Sequence, residues 1–217
     1  MRPSPVLILA LAGAVSTGSL RAEALLGASS TAARMDILQF GESSLDNILG
    51  EGFRFEVSGA TPVNDQVDTV LRAGYGFADG KVGPVKFDYK TTFIGTDFIF
   101  HFFPDEAVNP YLLGGPYVTR RAVDVSRSAP VSLRMLDLSD NEVGVQAGGG
   151  SEFQIYDLFL ARAELRLRVD TELDVNALAQ GQFGWWALPQ LLASLGLSYD
   201  SDDGDRALSL LATWKLP

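Results

Sequence analysis

His101 is the one histidine in this chain of 217 residues, and histidine is the side chain that most readily moves a proton near neutral pH. On a strand, Asp97 four residues earlier would share its face. A general base must reach its substrate, whereas His101 sits between Phe100 and Phe102. That setting suits a polar network with Asp97 better than catalysis. Asp200, Asp202, Asp203 and Asp205 surround Gly204, and carboxylate oxygens suit calcium. The cluster lacks the bidentate glutamate of a helix–loop–helix calcium site, and Asp-Gly is first a turn signal. Gly148-Gly149-Gly150 has no Lys-Ser/Thr after it and opens no helix, so it is no phosphate loop. Glu164 among Arg162, Arg166 and Arg168 could hold an anion, or the four could brace one another in a closed space. Cysteine is absent, which removes disulfides and thiolate metal sites. The residues therefore assign no catalytic, cofactor-binding or metal-binding role.

The elements that position these side chains are more legible. From Asp157 to Asp170, the column Phe159, Ala161, Ala163, Leu165, Leu167 and Val169 alternates with Leu160, Arg162, Glu164, Arg166, Arg168 and Asp170. A strand sends successive side chains to opposite faces, so one face is apolar and the other charged. A soluble sheet turns the apolar face inward; a barrel in a bilayer turns it outward.

Along the chain, residues 1–24 have the form of an export signal. Arg2 precedes an apolar run over Val6–Val15, and cleavage fits after Ala22 or Ala24. Residues 25–49 form a polar segment with scattered apolar residues, expected to be a periplasmic tail with one amphipathic turn. Period-2 alternation then fills residues 50–217. Strands are expected from Gly50, with Phe53, Phe55 and Val57, and over Val67–Phe77, ending in a hairpin at Ala78-Asp79-Gly80. Further strands are expected over Val85–Lys90, Ile94–Phe102, Pro110–Val125, Val143–Ile155, Asp157–Asp170, Asn176–Trp186, Leu191–Tyr199 and Leu208–Leu216. The fold class is all-β: a closed, antiparallel, up-and-down transmembrane barrel of about ten strands, with eight as the alternative count.

Counting strands from a periplasmic start places Phe53, Phe77, Phe102, Tyr111, Phe153, Phe159, Trp185 and Trp214 at one rim on the apolar column. A membrane–water interface favours such an aromatic girdle. The opposite column is expected to fill the lumen with paired charges: Arg54, Glu56, Arg72, Lys86, Asp88, Asp97, Glu152, Arg162, Glu164, Arg166, Arg168 and Asp170. Both signs are present, as burial of ions requires, and glycines leave room for the long side chains. The net charge of −10 argues against nucleic acid as a partner.

Two stretches carry a resemblance: Asn109-Pro110-Tyr111-Leu112-Leu113-Gly114-Gly115-Pro116-Tyr117, and Gly144-Val145-Gln146-Ala147-Gly148-Gly149-Gly150-Ser151-Glu152-Phe153. With Ala163-Glu164-Leu165-Arg166, they resemble the small outer-membrane β-barrels of the OmpA-like and opacity-like kind. The likeness implies architecture rather than chemistry. It also implies a terminal aromatic read by the insertion machinery, whereas this chain ends Trp214-Lys215-Leu216-Pro217, leaving Trp214 for that role.

The expected function is a side-chain-filled barrel with a structural or surface-interaction role and no enzymatic activity. Its partners would be outer-membrane lipid and a surface ligand on the loop Ser126–Asn141. The alternatives are a soluble exported barrel binding an apolar ligand and an outer-membrane hydrolase with an unrecognised site.

Overall fold

The computed structural model describes residues 29–39, 49–82, 85–125, 138–155, 158–171, 173–201 and 206–216. The export signal, residues 40–48, most of the loop Ser126–Asn141 and the acidic hairpin from Asp202 to Asp205 lie outside them.

Ten strands follow in order: β1 (Ser30–Gln39), β2 (Leu49–Asn64), β3 (Val67–Val82), β4 (Val85–His101), β5 (Val108–Val125), β6 (Leu138–Ile155), β7 (Phe159–Asp170), β8 (Val175–Leu188), β9 (Leu191–Asp200) and β10 (Arg206–Lys215). Each pairs antiparallel with its neighbours in sequence, and β1 pairs with β10 to close the barrel. Closure leaves no edge strand with unpaired backbone groups. At the end where Ser30 meets Lys215, hereafter the near end, the connections are short, as at Asp65-Gln66 and Pro189-Gln190.

The wall is uneven. Strands β2 to β6 run for 16 to 18 residues, whereas β7 to β10 and β1 run for 10 to 14. The excess length stands at the far end as a tall wall over a low one. Along most of the barrel the apolar column faces outward: Leu165 and Leu167 are 54% and 50% exposed, while Glu164 and Arg166 are buried. In the upper part of the tall wall the polarity reverses. Val85, Phe87 and Val125 are buried inside, and Lys86, Asp88, Lys90 and Asp124 point outward into the open. The change falls near the row in which Tyr75, Thr92, Arg120 and Asn141 stand opposite one another.

The reversed part leans across the far mouth. Ala78, Val85, Phe87 and Val125 form one apolar cluster with Leu38 of β1 and Ala207 of β10, flanked by Tyr89 and Val123. Strands β4 and β5 are not sheet neighbours of β1 or β10, so this contact bridges the opening.

The strand placement departs from expectation in four ways. Residues 30–39, expected to lie in a periplasmic tail, form β1 and close the barrel. The two strands expected over Val85–Lys90 and Ile94–Phe102 are one strand, β4, ending at His101. The expected hairpin at Ala78-Asp79-Gly80 continues β3, with Ala78 opposite Tyr89 and Gly80 opposite Phe87. In addition, Leu138–Asn141, assigned to the long loop, begin β6.

Candidate functional site

The lumen holds a network of charge-bearing residues, and the alternation of β1, β2, β3, β4, β6 and β7 puts them there. Asp36 on β1 is fully buried. Its carboxylate accepts from Arg34 Nε at 2.6 Å and from Arg54 Nε at 2.7 Å. Arg34 also reaches Ser209 Oγ at 2.7 Å and Gln180 Oε1 at 3.3 Å. Asp97, 1% exposed, is shared by Arg72 at 2.7 Å and Arg166 at 2.8 Å, and accepts from Gln146 Nε2 at 2.5 Å. Arg72 approaches Glu56 at 4.0 Å.

Glu164 pairs with Arg166 and accepts from Tyr111 and from Gln180, each at 2.7 Å. Arg162 pairs with Glu152 and lies over the Tyr111 ring. Since β4 and β7 are separated by two strands, the Arg166–Asp97 bridge crosses the lumen. The link from Arg34 to Gln180 likewise spans from β1 to β8. The two crossings join through Glu164 and Arg166 into one hydrogen-bonded partition. Carboxylates buried this completely require opposite charges and donors close by, and Asp36, Asp97 and Glu164 each have both.

Two inward glycines of β6 make the space. A Cβ on Gly150 would lie 2.6 Å from the Tyr111 hydroxyl, and one on Gly144 would lie 2.8 Å from the Tyr117 ring. The tyrosines of β5 fill what those side chains would occupy. Tyr117 then donates to Glu142 at 2.5 Å, and Glu142 meets Arg121 at 3.3 Å.

Of the residues expected in the lumen, Arg54, Glu56, Arg72, Asp97, Glu152, Arg162, Glu164 and Arg166 meet in this network. Arg168 is also inside, 3.5 Å from Asp200. Asp170 sits at the low rim, where it accepts from the Asp174 amide at 3.0 Å. Lys86 and Asp88 do not belong: both are exposed on the outer face of the tall wall. Nearby, Lys90 bridges Asp124 at 2.6 Å. That hydrogen bond and the Asp124 charge hold the Lys90 ammonium above the ordinary lysine range.

The expected girdle divides. Phe102, Phe153, Phe159, Trp185 and Trp214 stand toward the near end, the first four exposed and Trp214 half-buried. Phe53 and Phe77 face each other toward the far end, their ring centroids 5.9 Å apart. With β1 in place, β2 runs in the opposite direction from the one assumed, which moves both residues to the other level. Tyr111 is not on the outer face at all; it is 2% exposed and bonded inside. The outward residue is its neighbour Leu112, 55% exposed.

His101 does face the lumen at the near end, but its carboxylate neighbour differs from expectation. Its Nε2 lies 3.3 Å from Asp68, and Asn109 Nδ2 lies 3.0 Å from its Nδ1. Asp97 is already engaged by two arginines and Gln146. At 2% exposure, His101 is closed off from outside reactants. Among the described residues, no group of acidic, histidine or cysteine side chains has the arrangement of a metal site.

Sequence reasoning missed Arg34 and Asp36. The alternation of both with Met35 and Ile37 carried the signal, but over too short a stretch to stand out. It also missed the amides Gln146 and Gln180, which carry no charge to betray an inward role.

No family model matches the chain, and no curated protein matches it. Among solved structures, the chain is similar to the translocator domain of the autotransporter NalP from Neisseria meningitidis. That match has a TM-score of 0.51 and 10% identity, and it covers 87% of this chain and 88% of that one. Similarity extends to Ail, the attachment invasion locus protein of Yersinia pestis, with a TM-score of 0.44, 12% identity and 88% and 98% of the two chains covered. Neisserial surface protein A also matches, with a TM-score of 0.42, 17% identity and 87% and 97% covered. At these identities the likeness concerns the fold: a closed, antiparallel barrel of the outer-membrane type.

Proposed function

We propose that the chain is an outer-membrane barrel with a sealed lumen that holds its tall wall above the bilayer as a surface for interaction. The observation that carries this reading is the reversal of polarity within single strands. On β4, Ile94, Phe98 and Phe100 face outward, whereas nearer the far end Val85 and Phe87 face inward and Lys86 and Asp88 outward. A wall that met one solvent along its whole height would keep one phase. A wall that leaves hydrocarbon for water must change phase where it emerges, because each medium selects the outer face that suits it.

The short connections and the Ser30–Lys215 pairing share the near end. Barrels of this kind keep short turns on the periplasmic side and longer loops outside, so the near end is periplasmic and the tall wall extracellular. The role is structural or interactive rather than catalytic: the one histidine is enclosed beside Asp68, and Asp36, Asp97, Glu152 and Glu164 are engaged by arginines.

The chain has no native cysteine, so single-cysteine labelling tests the reading directly. Fluorophores at Leu165→Cys and Leu197→Cys in vesicles should be quenched by brominated acyl chains and shielded from iodide. Labels at Lys86→Cys and Asp88→Cys should show the opposite. Iodide reaching position 165 as readily as position 86 would sink the membrane reading.

A further inference from the structure

We infer that the outer half of the lumen is a binding chamber for a small oxyanion, of the phosphate, sulfate or carboxylate class. A cavity of about 120 Å³ lies there. It is large enough for several waters, or for one tetrahedral anion in their place. Arg34, Arg54, Arg72, Arg121, Arg168 and Arg206 line it, and Leu38, Ala207 and Tyr89 bring it up against the apolar cluster that bridges the mouth.

The charge of its wall is lopsided. Against six guanidinium groups stand Glu56, Glu142 and Asp200, each already beside one of the six. Glu142 is engaged by Tyr117 and Arg121. Glu56 stands 4.0 Å from Arg72, and Asp200 stands 3.5 Å from Arg168. The tight partners of the cavity's arginines, Asp36 and Asp97, are each shared between two guanidinium groups and are not among the residues lining it.

Donors are also left over. Arg72 Nε and Arg168 Nε are buried with no hydrogen-bond partner among the described residues. An oxyanion supplies what this wall lacks: negative charge among crowded guanidinium groups, and acceptor oxygens in the planar geometry that arginine reads well. Thr91, Thr119 and Ser198, also in the lining, offer hydroxyl donors to the remaining oxygens. The inference concerns the interior of the barrel and stands independently of what meets its outer face.

Inorganic phosphate is the probe. The full chain, folded in a maltoside detergent and checked by heat-modifiable gel migration, is titrated calorimetrically at neutral pH. Saturable binding of one phosphate per barrel is expected. Arg168→Gln should weaken it about tenfold or more, the scale of one charge-assisted contact. Arg168→Lys, which keeps the charge but loses the fork, should weaken it less, and serves also if the glutamine variant does not fold. Lys90→Gln, on the outer face, should leave it unchanged. Absence of saturable heat from the folded wild type overturns the inference. So does equal binding by the wild type and both Arg168 variants, which would mean an adventitious ion only.

Discussion

Tyr111 shows how far a single residue can be read from its neighbours in sequence. It opens a strand after Pro110 and stands in the apolar run Tyr111-Leu112-Leu113. In such a run alternation is silent, and an aromatic near a strand end points to the membrane interface. Its hydroxyl decides otherwise, because a tyrosine can bury its ring only where the O–H finds a partner, and Glu164 provides one at 2.7 Å. Where charges alternate strictly with apolar residues, as from Arg162 to Arg168, the inward column was legible. Where charge is sparse, as at Arg34 and Asp36, or absent, as at Gln146 and Gln180, it was not. Removing the hydroxyl by Tyr111→Phe should leave Glu164 with Arg166 and Gln180 as donors and destabilise the barrel by about 1–3 kcal/mol. Thermal unfolding in detergent, followed by gel mobility, checks this. An unchanged midpoint would mean that the bond contributes nothing in the folded state.

At the scale of the element, β4 carries the lesson. Its apolar residues occupy odd positions at Val85, Phe87 and Tyr89, then even positions at Ile94, Phe98 and Phe100. A rule that allows one apolar phase per strand must insert a turn between them, near Thr91-Thr92, and so divides β4 in two. The chain instead continues straight while its surroundings change. The undetected β1 offset this division, so the count of ten survived while the direction of the strands between the two errors was inverted. That inversion carried Phe53 and Phe77 to the wrong end. The reversed segment should also behave as a small unit of its own. Phe87→Asp places a charge in the apolar cluster with Leu38 and Ala207 and should cost that cluster about 3–5 kcal/mol, as removal of a buried phenylalanine does. Limited proteolysis should then cut the upper tall wall while the barrel remains heat-modifiable. Loss of both together would show that the two parts fold as one.

For the whole molecule, the partition through Arg34, Gln180, Glu164, Arg166 and Asp97 runs from one side of the lumen to the other. A barrel of this size has little interior to spare, and here that interior is occupied by ions that mutually fix their positions. Reconstituted in planar bilayers, the protein should give no large, steady openings; porin-like conductance would show that the partition yields. The closing seam has a consequence of a different kind. Arg34 and Ser209, joined across β1 and β10, are 175 positions apart in the chain. Loop-closure entropy rises with separation, and high contact order slows folding, so this pairing is the most demanding in the barrel. A nascent chain presenting only β1 to β9 would offer two open edges and lack Ser209 as a ligand for Arg34. The seam thus acts as a length checkpoint, withholding the closed state until the final strand has been made.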